Sequence, residues 1–297
     1  RLQAAGRDVA TDGTSFPYRQ SIVIAGLVYA LIGWWAVLRL CESWFPTRVA
    51  ASAVLLLATG SFMLWYTLIE PTMTHAPSMA AVSLFLLWWR HTRDARTPAQ
   101  WIALGVLAGL MTLIRWQNAL FALVPAVEAL TVLVAAARAG DHRRVKEVLV
   151  GGLSFTAVAA CVFSPQMVAW KAIYGAWLAV SPVGPQIRLA SPELELTLFS
   201  SRNGLVAMTP LLYVALTGLA AFAWRHRRDG VPMVLAVAAM VWFNASIQDW
   251  WGSDGFGGRR FDGIMPAAAI GLATALTALQ RWIRAYPQWT VAVLLAG

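Results

Sequence analysis

The sequence predicts an all-α fold, a polytopic bundle of transmembrane helices that forms a single domain over residues 1–297. Three observations support this prediction. Hydrophobic residues make up 59% of the chain. Charged residues make up only 12%, about half the share of an ordinary soluble domain. The mean hydropathy is +0.62. A soluble protein of this size needs more polar surface to cover its core, so the composition excludes a soluble enzyme and a disordered chain.

Nine apolar runs are long enough to cross a bilayer as helices, since the hydrocarbon layer needs about 20 apolar residues. Each run contains at most one charged residue, and their length and continuity rule out the strands of a membrane barrel. A tenth run begins near residue 286 and is expected to be truncated. The nine predicted full spans cover residues 20–38, 49–69, 71–89, 98–114, 116–137, 148–170, 204–224, 230–248 and 263–280.

The basic residues predict the orientation of the bundle. One set of alternate connections contains fourteen Lys and Arg residues, and the other contains seven, outside the N-terminal tail. The positive-inside rule places the richer set in the cytoplasm, which explains the net charge of +9 without a nucleic-acid partner. The outward connections are longer and more polar, so we expect any chemistry at the outer face. They cover residues 71–75, 115–118, 171–203 and 248–263.

The outward turn between the second and third spans contains Glu70 and His75. Pro71 ends one predicted helix and Pro77 suits the first turn of the next, so both groups lie at adjoining helix ends. We expect them to line an outer cavity and to contact sugar hydroxyls or a phosphate. The alternative is a polar turn that only hydrates the helix ends, although ionisable groups within membranes are costly and usually functional.

A second polar interruption, Arg115-Trp116-Gln117-Asn118, separates two apolar runs. Arg115 lies on the outward side, against the positive-inside trend. A guanidinium forms planar, bidentate hydrogen bonds with phosphate, so Arg115 is a candidate contact for the phosphate of a lipid-linked substrate. Snorkelling to ordinary lipid headgroups is the alternative.

The most unusual segment covers residues 248–263 and contains five glycines, three acidic residues and two arginines. Such a loop can bring backbone N–H groups close to an anion. Arg259 and Arg260 supply positive charge, and Trp250 and Trp251 offer flat faces to a sugar ring or a prenyl chain. The segment is not a nucleotide-binding P-loop, because no Gly-Lys-Ser/Thr follows. The alternative is a flexible interfacial hairpin with charge pairs.

Three further features give weaker signals. The long connection Lys171–Asn203 is an acceptor-binding flap or only a connection. Glu128 lies near the middle of its span, where an isolated charge costs about 2.5–3.5 kcal/mol, so we expect it to be protonated or paired inside the bundle. Cys41 and Cys161 are too few for a disulfide framework, and no Cys or His cluster indicates a metal site.

These motifs together resemble those of bacterial integral-membrane glycosyltransferases of the GT-C superfamily. That group includes protein O-mannosyltransferases and the aminoarabinose and galacturonic acid transferases that act on lipopolysaccharide. The resembling segments, which cover most of the chain in order, are Asp12-Gly13-Thr14-Ser15-Phe16-Pro17-Tyr18, Glu70-Pro71-x-Met73-x-His75-Ala76, Gly109-Leu110-x-x-Leu113-Ile114-Arg115-x-Gln117, and Trp251-Gly252-x-x-Gly255-Phe256-Gly257-Gly258-Arg259-Arg260-Phe261 followed by Pro266.

The resemblance implies a glycosyltransferase of the bacterial inner membrane. Its donor would be a sugar on a polyprenyl phosphate, transferred with inversion to a lipid or glycan acceptor at the periplasmic or outer face. It implies no required cofactor; a divalent metal stays open, although no ligand cluster indicates one. Positive charge is needed to hold the leaving phosphate. The predicted donor-phosphate contacts are Arg115, Arg259, Arg260 and His75, and the predicted substrate contacts are Gln117, Trp250 and Trp251.

The resemblance also bears on the position of the catalytic base. In enzymes of this type a general-base aspartate usually lies in the first outer loop. We expect that loop upstream of Arg1, in a longer protein of which this chain is a fragment. The base candidates within the sequence are then Asp254, Asp249 and Glu70. Three alternatives remain. One is an O-antigen ligase or polymerase, which also uses outer arginines. The others are a lipid or solute transporter, which often shows internal repeats that this sequence lacks, and a structural membrane subunit without chemistry.

Overall fold

The computed structural model describes residue 13 and residues 15–178 and 187–286. The described chain is helical, and its extended pairing is limited to one bridge between Ile187 and Ile247. The predicted all-α class is therefore confirmed. The α-helices are α1 (Phe16–Cys41), α2 (Thr47–Gly60), α3 (Met63–Leu68), α4 (His75–Thr92), α5 (Pro98–Ile114), α6 (Leu123–Arg138), α7 (His142–Tyr174), α8 (Leu194–Phe199), α9 (Leu205–Met208), α10 (Leu211–Arg225), α11 (Arg227–Ala245) and α12 (Met265–Ala285). Two 3₁₀ helices cover Trp116–Ala122 and Arg259–Ile264.

Four helical segments are long and apolar enough to cross a bilayer. Three further apolar helices, α2, α5 and α10, are shorter. The four long segments are Phe16–Cys41, Trp116–Arg138, His142–Tyr174 and Arg259–Ala285. The predicted tenth span, Pro182 and Pro185 of the long connection, and Asp12 and Thr14 of the N-terminal motif lie outside the described residues.

Two predicted spans are interrupted, which their composition did not indicate. In the run 49–69, α2 ends at Gly60 and the following Ser61 is extended, with φ −122° and ψ 170°. In the run 204–224, α9 ends at Met208 and Thr209 leaves the helical conformation, with φ −138° and ψ 76°. The second break has a local cause, because Pro210 disfavours the helical conformation of the residue before it.

The longest helix, α7, contains Pro165 in its interior. Proline has no N–H, so the carbonyl of Cys161 loses its helical donor. The Ser164 hydroxyl donates to that carbonyl at 2.7 Å instead. The helix therefore continues to Tyr174 and ends at Gly175, which adopts the left-handed conformation with φ +74°.

The core of the bundle surrounds α12, whose first ten residues, Met265–Thr274, are all buried. This helix packs mainly against α10 and also contacts α2 and α1. Small residues permit the close approach, because a Cβ atom at Gly218 would clash with the carbonyl of Gly271, and one at Gly271 would clash with the carbonyl of Ala215. The start of α12 is thus fixed within the bundle.

Contacts between connections define two opposite ends of the bundle. At the end where α4 finishes, Arg93 pairs with Asp229, and Arg96 Nη2 lies 2.9 Å from Glu128 Oε2. Glu128 also accepts from Trp89 Nε1 at 2.6 Å, so it is paired inside the bundle as expected. At the other end, where α4 and α12 begin, lies the group of polar residues described next.

Candidate active site

A fully buried carboxylate, Asp262, lies at the centre of this polar group. It belongs to the 3₁₀ helix Arg259–Ile264 directly before α12, where the positive end of the helix dipole favours a negative charge. Its Oδ2 lies 2.8 Å from His75 Nδ1 and 2.5 Å from Arg115 Nη1. Its Oδ1 accepts from Ser78 Oγ at 2.7 Å. Asp262 therefore joins the start of α4, the end of α5 and the start of α12.

His75 lies on the buried side of this group and is only 2% exposed. An ionised carboxylate can only accept, so His75 Nδ1 donates its hydrogen to Asp262. The imidazole ring also packs against the ring of Tyr66, with centroids 3.9 Å apart. His75 is thus placed to orient Asp262 and, through it, Arg115.

Arg115 occupies the break between α5 and the 3₁₀ helix Trp116–Ala122, where its backbone is extended. Its side chain is 20% exposed, unlike that of Asp262. The contacts that it makes with described residues all use Nη1, which reaches Asp262, the carbonyl of Arg259 at 3.2 Å and His75 at 3.2 Å. Nε and Nη2 therefore keep donors that can bind an anion.

The side chains of Tyr66 and Asn203 hold the middle of the glycine-rich loop, residues 248–263, against neighbouring segments. Tyr66 Oη donates to the carbonyl of Phe256 at 3.1 Å and accepts from its N–H at 2.8 Å. Asn203 Nδ2 donates to the carbonyls of Trp251 and Gly255, and Asn203 Oδ1 accepts from the N–H of Gly257 at 3.1 Å. These hydrogen bonds connect the loop to α3 and to the segment before α9.

The two loop arginines have different surroundings. The Arg259 side chain crosses Gly252 and Gly255, and a Cβ atom at Gly255 would clash with it. Its guanidinium forms no hydrogen bond with any residue that the structure describes, and it interacts electrostatically with Tyr66 and His75.

Arg260 instead forms a two-point contact with Asp249. Its Nη2 lies 2.6 Å from Asp249 Oδ1, and its Nη1 donates to the Asp249 carbonyl at 2.8 Å. The other carboxylate oxygen of Asp249 accepts from Ser253 Oγ at 2.9 Å. Gln117 Nε2 donates to the Arg260 carbonyl at 2.7 Å and so joins the loop to the end of α5. Arg260 and Asp249 use hydrogen-bonding groups on each other, so fewer donors of Arg260 and fewer acceptors of Asp249 are available to a substrate.

The remaining predicted residues lie around this centre. Glu70 is half-buried after the end of α3 and acts electrostatically on Tyr66, as do Arg115 and Arg259. Asp254 is exposed in the glycine-rich loop. The side chains of Trp250 and Trp251 stack edge to face at 5.6 Å. Of the three base candidates, Glu70 is therefore the one that acts on Tyr66 together with Arg115 and Arg259.

A cavity of about 370 Å³ opens beside Arg115 and Gln117, between the end of α5 and the last turns of α7. Its walls are rich in aromatic rings, which offer faces for a sugar ring. The aromatic and amide side chains that line it are Trp116, Phe163, Gln166, Trp170 and Tyr174.

Sequence reasoning placed Arg115, His75 and Arg259 in one site but omitted four residues that hold it together. The sequence could have indicated Asp262, because it is an acidic residue directly before a long apolar span, where an unpaired charge is costly. The other three are common polar residues with no distinctive spacing. These omitted residues are Asp262, Ser78, Tyr66 and Asn203.

No curated protein matches the chain. The sequence pattern of the dolichyl-phosphate-mannose-protein mannosyltransferases matches residues 16–180, more than half of the chain. The matched region includes His75 and Arg115, whereas Asp262 and Arg259 reach the site from outside it. Together with the apolar helices, the match identifies an integral membrane glycosyltransferase. The chain belongs to the dolichyl-phosphate-mannose-protein mannosyltransferase family.

Proposed function

We propose that the protein transfers a sugar, with inversion, from a polyprenyl-phosphate donor to a lipid or glycan acceptor. The observation that supports this proposal best is the pair Arg115 and Arg259, two guanidinium groups with unused donors that both act on Tyr66 and His75, with Arg115 also lining the cavity. Arg115 is anchored by the buried carboxylate of Asp262. A guanidinium fixed in advance costs little reorganisation when the donor phosphate develops negative charge.

The proposed donor site uses the cavity next to Arg115. The phosphate would contact Arg115 Nε and Nη2 and the guanidinium of Arg259. The sugar would lie against the aromatic walls contributed by Trp116 and Trp170. The prenyl chain would run along the apolar surface between α5 and α7, since Val168 on α7 is 57% exposed. No metal or nucleotide is required by this arrangement.

The proposed chemistry is a single displacement. An acceptor hydroxyl attacks the anomeric carbon and gives its proton to a base, the bond from that carbon to the phosphate oxygen breaks, and the polyprenyl phosphate leaves. Among the carboxylates described, we propose Glu70 as the base, because Asp249 is engaged by Arg260 and Asp254 lies exposed in the loop.

We also propose the membrane arrangement. All nine apolar runs would lie in the bilayer of a bacterial inner membrane, four as long helices and the rest as shorter or interrupted ones. The site would face the periplasm or exterior, opposite the end that contains Arg93 and Arg96. This orientation rests on the distribution of basic residues.

The test measures transfer from a radiolabelled polyprenyl-phosphate sugar by the whole protein in membranes. We expect Arg115→Ala and Arg259→Ala each to lower the rate about 10²- to 10³-fold, the effect of removing one donor to developing negative charge. Arg188→Ala is the matched control, since Arg188 is an exposed arginine predicted on the same side. Wild-type rates in both site variants would contradict the phosphate role.

The base is tested separately. We expect Glu70→Gln to lower the rate about 10²- to 10⁴-fold, because the amide cannot accept the acceptor's proton. Glu195→Gln is the control, an exposed carboxylate on α8. If Glu70→Gln keeps its activity while Arg115→Ala loses it, the donor site stands and the base lies elsewhere.

A further inference from the structure

We propose that the end of the bundle opposite the active site contains a binding site for an anionic phospholipid. The site, here called the basic cleft, is a cavity of about 500 Å³ between the start of α5 and the first turns of α7. Its positively charged lining consists of Arg96, Arg143, Arg144 and Lys146. This inference is independent of the glycosyl transfer proposed above.

The basic cleft has an excess of positive charge. Arg96 is neutralised by Glu128, which lies 2.9 Å away and outside the cleft lining. Arg143 and Arg144 share one carboxylate, Glu147, at 3.0 and 3.2 Å. Lys146 forms no ion pair with the residues that the structure describes. Two positive charges of the basic cleft therefore remain for an anion. Arg144 also donates a hydrogen bond to the carbonyl of Asp94.

The lower part of the basic cleft suits an acyl chain rather than a soluble ion. Trp101 lines the cleft and packs closely against α7. A Cβ atom at Gly151 would clash with its indole ring. Val150 lines the cleft and is 53% exposed. The apolar runs of α5 and α7 begin at this level, so the cations stand at headgroup depth and the apolar wall below them faces hydrocarbon.

The positive charge and the apolar wall of the basic cleft together indicate an anionic phospholipid as its ligand. Basic pockets between membrane helices on the positively charged side bind phospholipid headgroups through charge, and juxtamembrane cations attract anionic lipids. A zwitterionic lipid would bring its own cation into a cleft that already has a positive excess. An anionic phospholipid satisfies both the charged rim and the apolar wall.

The experiment titrates the whole protein in detergent with phosphatidylglycerol and counts bound lipid by native mass spectrometry. We expect Arg143→Ala/Lys146→Ala to weaken binding about 25-fold, since each cation near a membrane surface contributes about fivefold. Glu147→Ala should strengthen binding, because it removes the negative charge from the cleft. Gain of affinity in that variant cannot come from a failure to fold.

Two controls complete the design. Arg281→Ala/Arg284→Ala removes two exposed arginines from α12, outside the basic cleft, and should leave binding unchanged. Ser154→Trp should block binding by filling the cleft without changing its charge. Equal affinity for phosphatidylcholine, equal binding of inorganic phosphate alone, or an equal loss in the α12 variant would each overturn the proposal.

Discussion

At the residue scale, a buried carboxylate holds a single guanidinium in place at the end of the bundle where α4 and α12 begin. Arg115 is fixed on one side by Asp262 and stays accessible on the other. A carboxylate that is itself buried accepts from His75 and Ser78 as well, so its position leaves little freedom. This division between an anchored side and a free side is what makes Arg115 suited to an anionic ligand.

The anchoring can be measured with a double-mutant cycle of Asp262→Asn and Arg115→Gln. We expect Asp262→Asn alone to lower the free energy of unfolding by about 2–3 kcal/mol, less than a fully buried pair would because Arg115 reaches solvent. The coupling between the two changes should be about 1–3 kcal/mol. Chemical unfolding of the whole protein in detergent gives both values.

The control for that cycle is the exposed pair Arg39 and Glu42, whose atoms approach to 2.6 Å. Exposed pairs add little to stability, so its coupling should be much smaller. Strictly additive effects of Asp262→Asn and Arg115→Gln would show that the carboxylate does not anchor the guanidinium.

Sequence reasoning reached part of this site. Arg115 stood out because positive charge on the outward side opposes the general trend, and Arg259 because it supplies positive charge to the glycine-rich segment 248–263. The role of Asp262 could not be predicted, because it depends on contacts with His75 and Arg115. These residues precede it in the chain by 187 and 147 positions. The different fates of Arg259 and Arg260 were equally hidden, since only the folded loop shows which one meets Asp249.

At the element scale, the packing of α10 against α12 fixes the start of α12, which directly follows the 3₁₀ helix that contains Asp262. A side chain larger than glycine at position 271 would force the helices apart, because its Cβ would clash with the carbonyl of Ala215. We expect Gly271→Leu to lower the free energy of unfolding by about 1–3 kcal/mol or more, the usual effect of overpacking. Thermal unfolding in detergent is the measurement.

A matched glycine variant separates crowding from helix propensity. Gly152 lies in α7, and a Cβ atom there would meet nothing within 4 Å. Gly152→Ala should therefore be neutral or stabilise by up to about 1 kcal/mol, since alanine favours helix more than glycine does. If Gly271→Leu behaved like Gly152→Ala, the close approach of α10 and α12 would not determine stability.

The helical regions were predicted correctly from hydropathy, but two short breaks within them were missed. Hydropathy located the helical regions, and Pro71 and Pro77 correctly marked the turn before α4. It did not reveal the breaks after Gly60 and Met208, because short interruptions leave a long apolar run apolar. Pro210 offered a local signal for the second break.

At the scale of the whole molecule, the two ends of the bundle differ in chemistry. One end gathers Asp262, His75 and Arg115 around a cavity, and the other contains paired arginines and the basic cleft. Alternating helices carry the chain between the two ends. This polarity predicts that the ends face different compartments.

Cysteine labelling tests that polarity. In a Cys161→Ser background, chosen because Cys161 is exposed whereas Cys41 is buried, we expect Asp254→Cys to react with a membrane-impermeant maleimide on spheroplasts. His142→Cys, at the start of α7, should react only after the membrane is permeabilised. Labelling of His142→Cys in sealed spheroplasts with protection of Asp254→Cys would reverse the proposed orientation.

The length of α7 has a consequence for how this helix lies in the bilayer. At 1.5 Å per residue its 33 residues extend for about 50 Å, whereas hydrocarbon is about 30 Å thick. Immersing the full helix would demand a tilt of more than about 50°, beyond the usual 0–40°. Part of α7 must therefore lie outside the hydrocarbon, and Trp170 and Tyr174, near its C-terminal end, line the cavity beside Arg115.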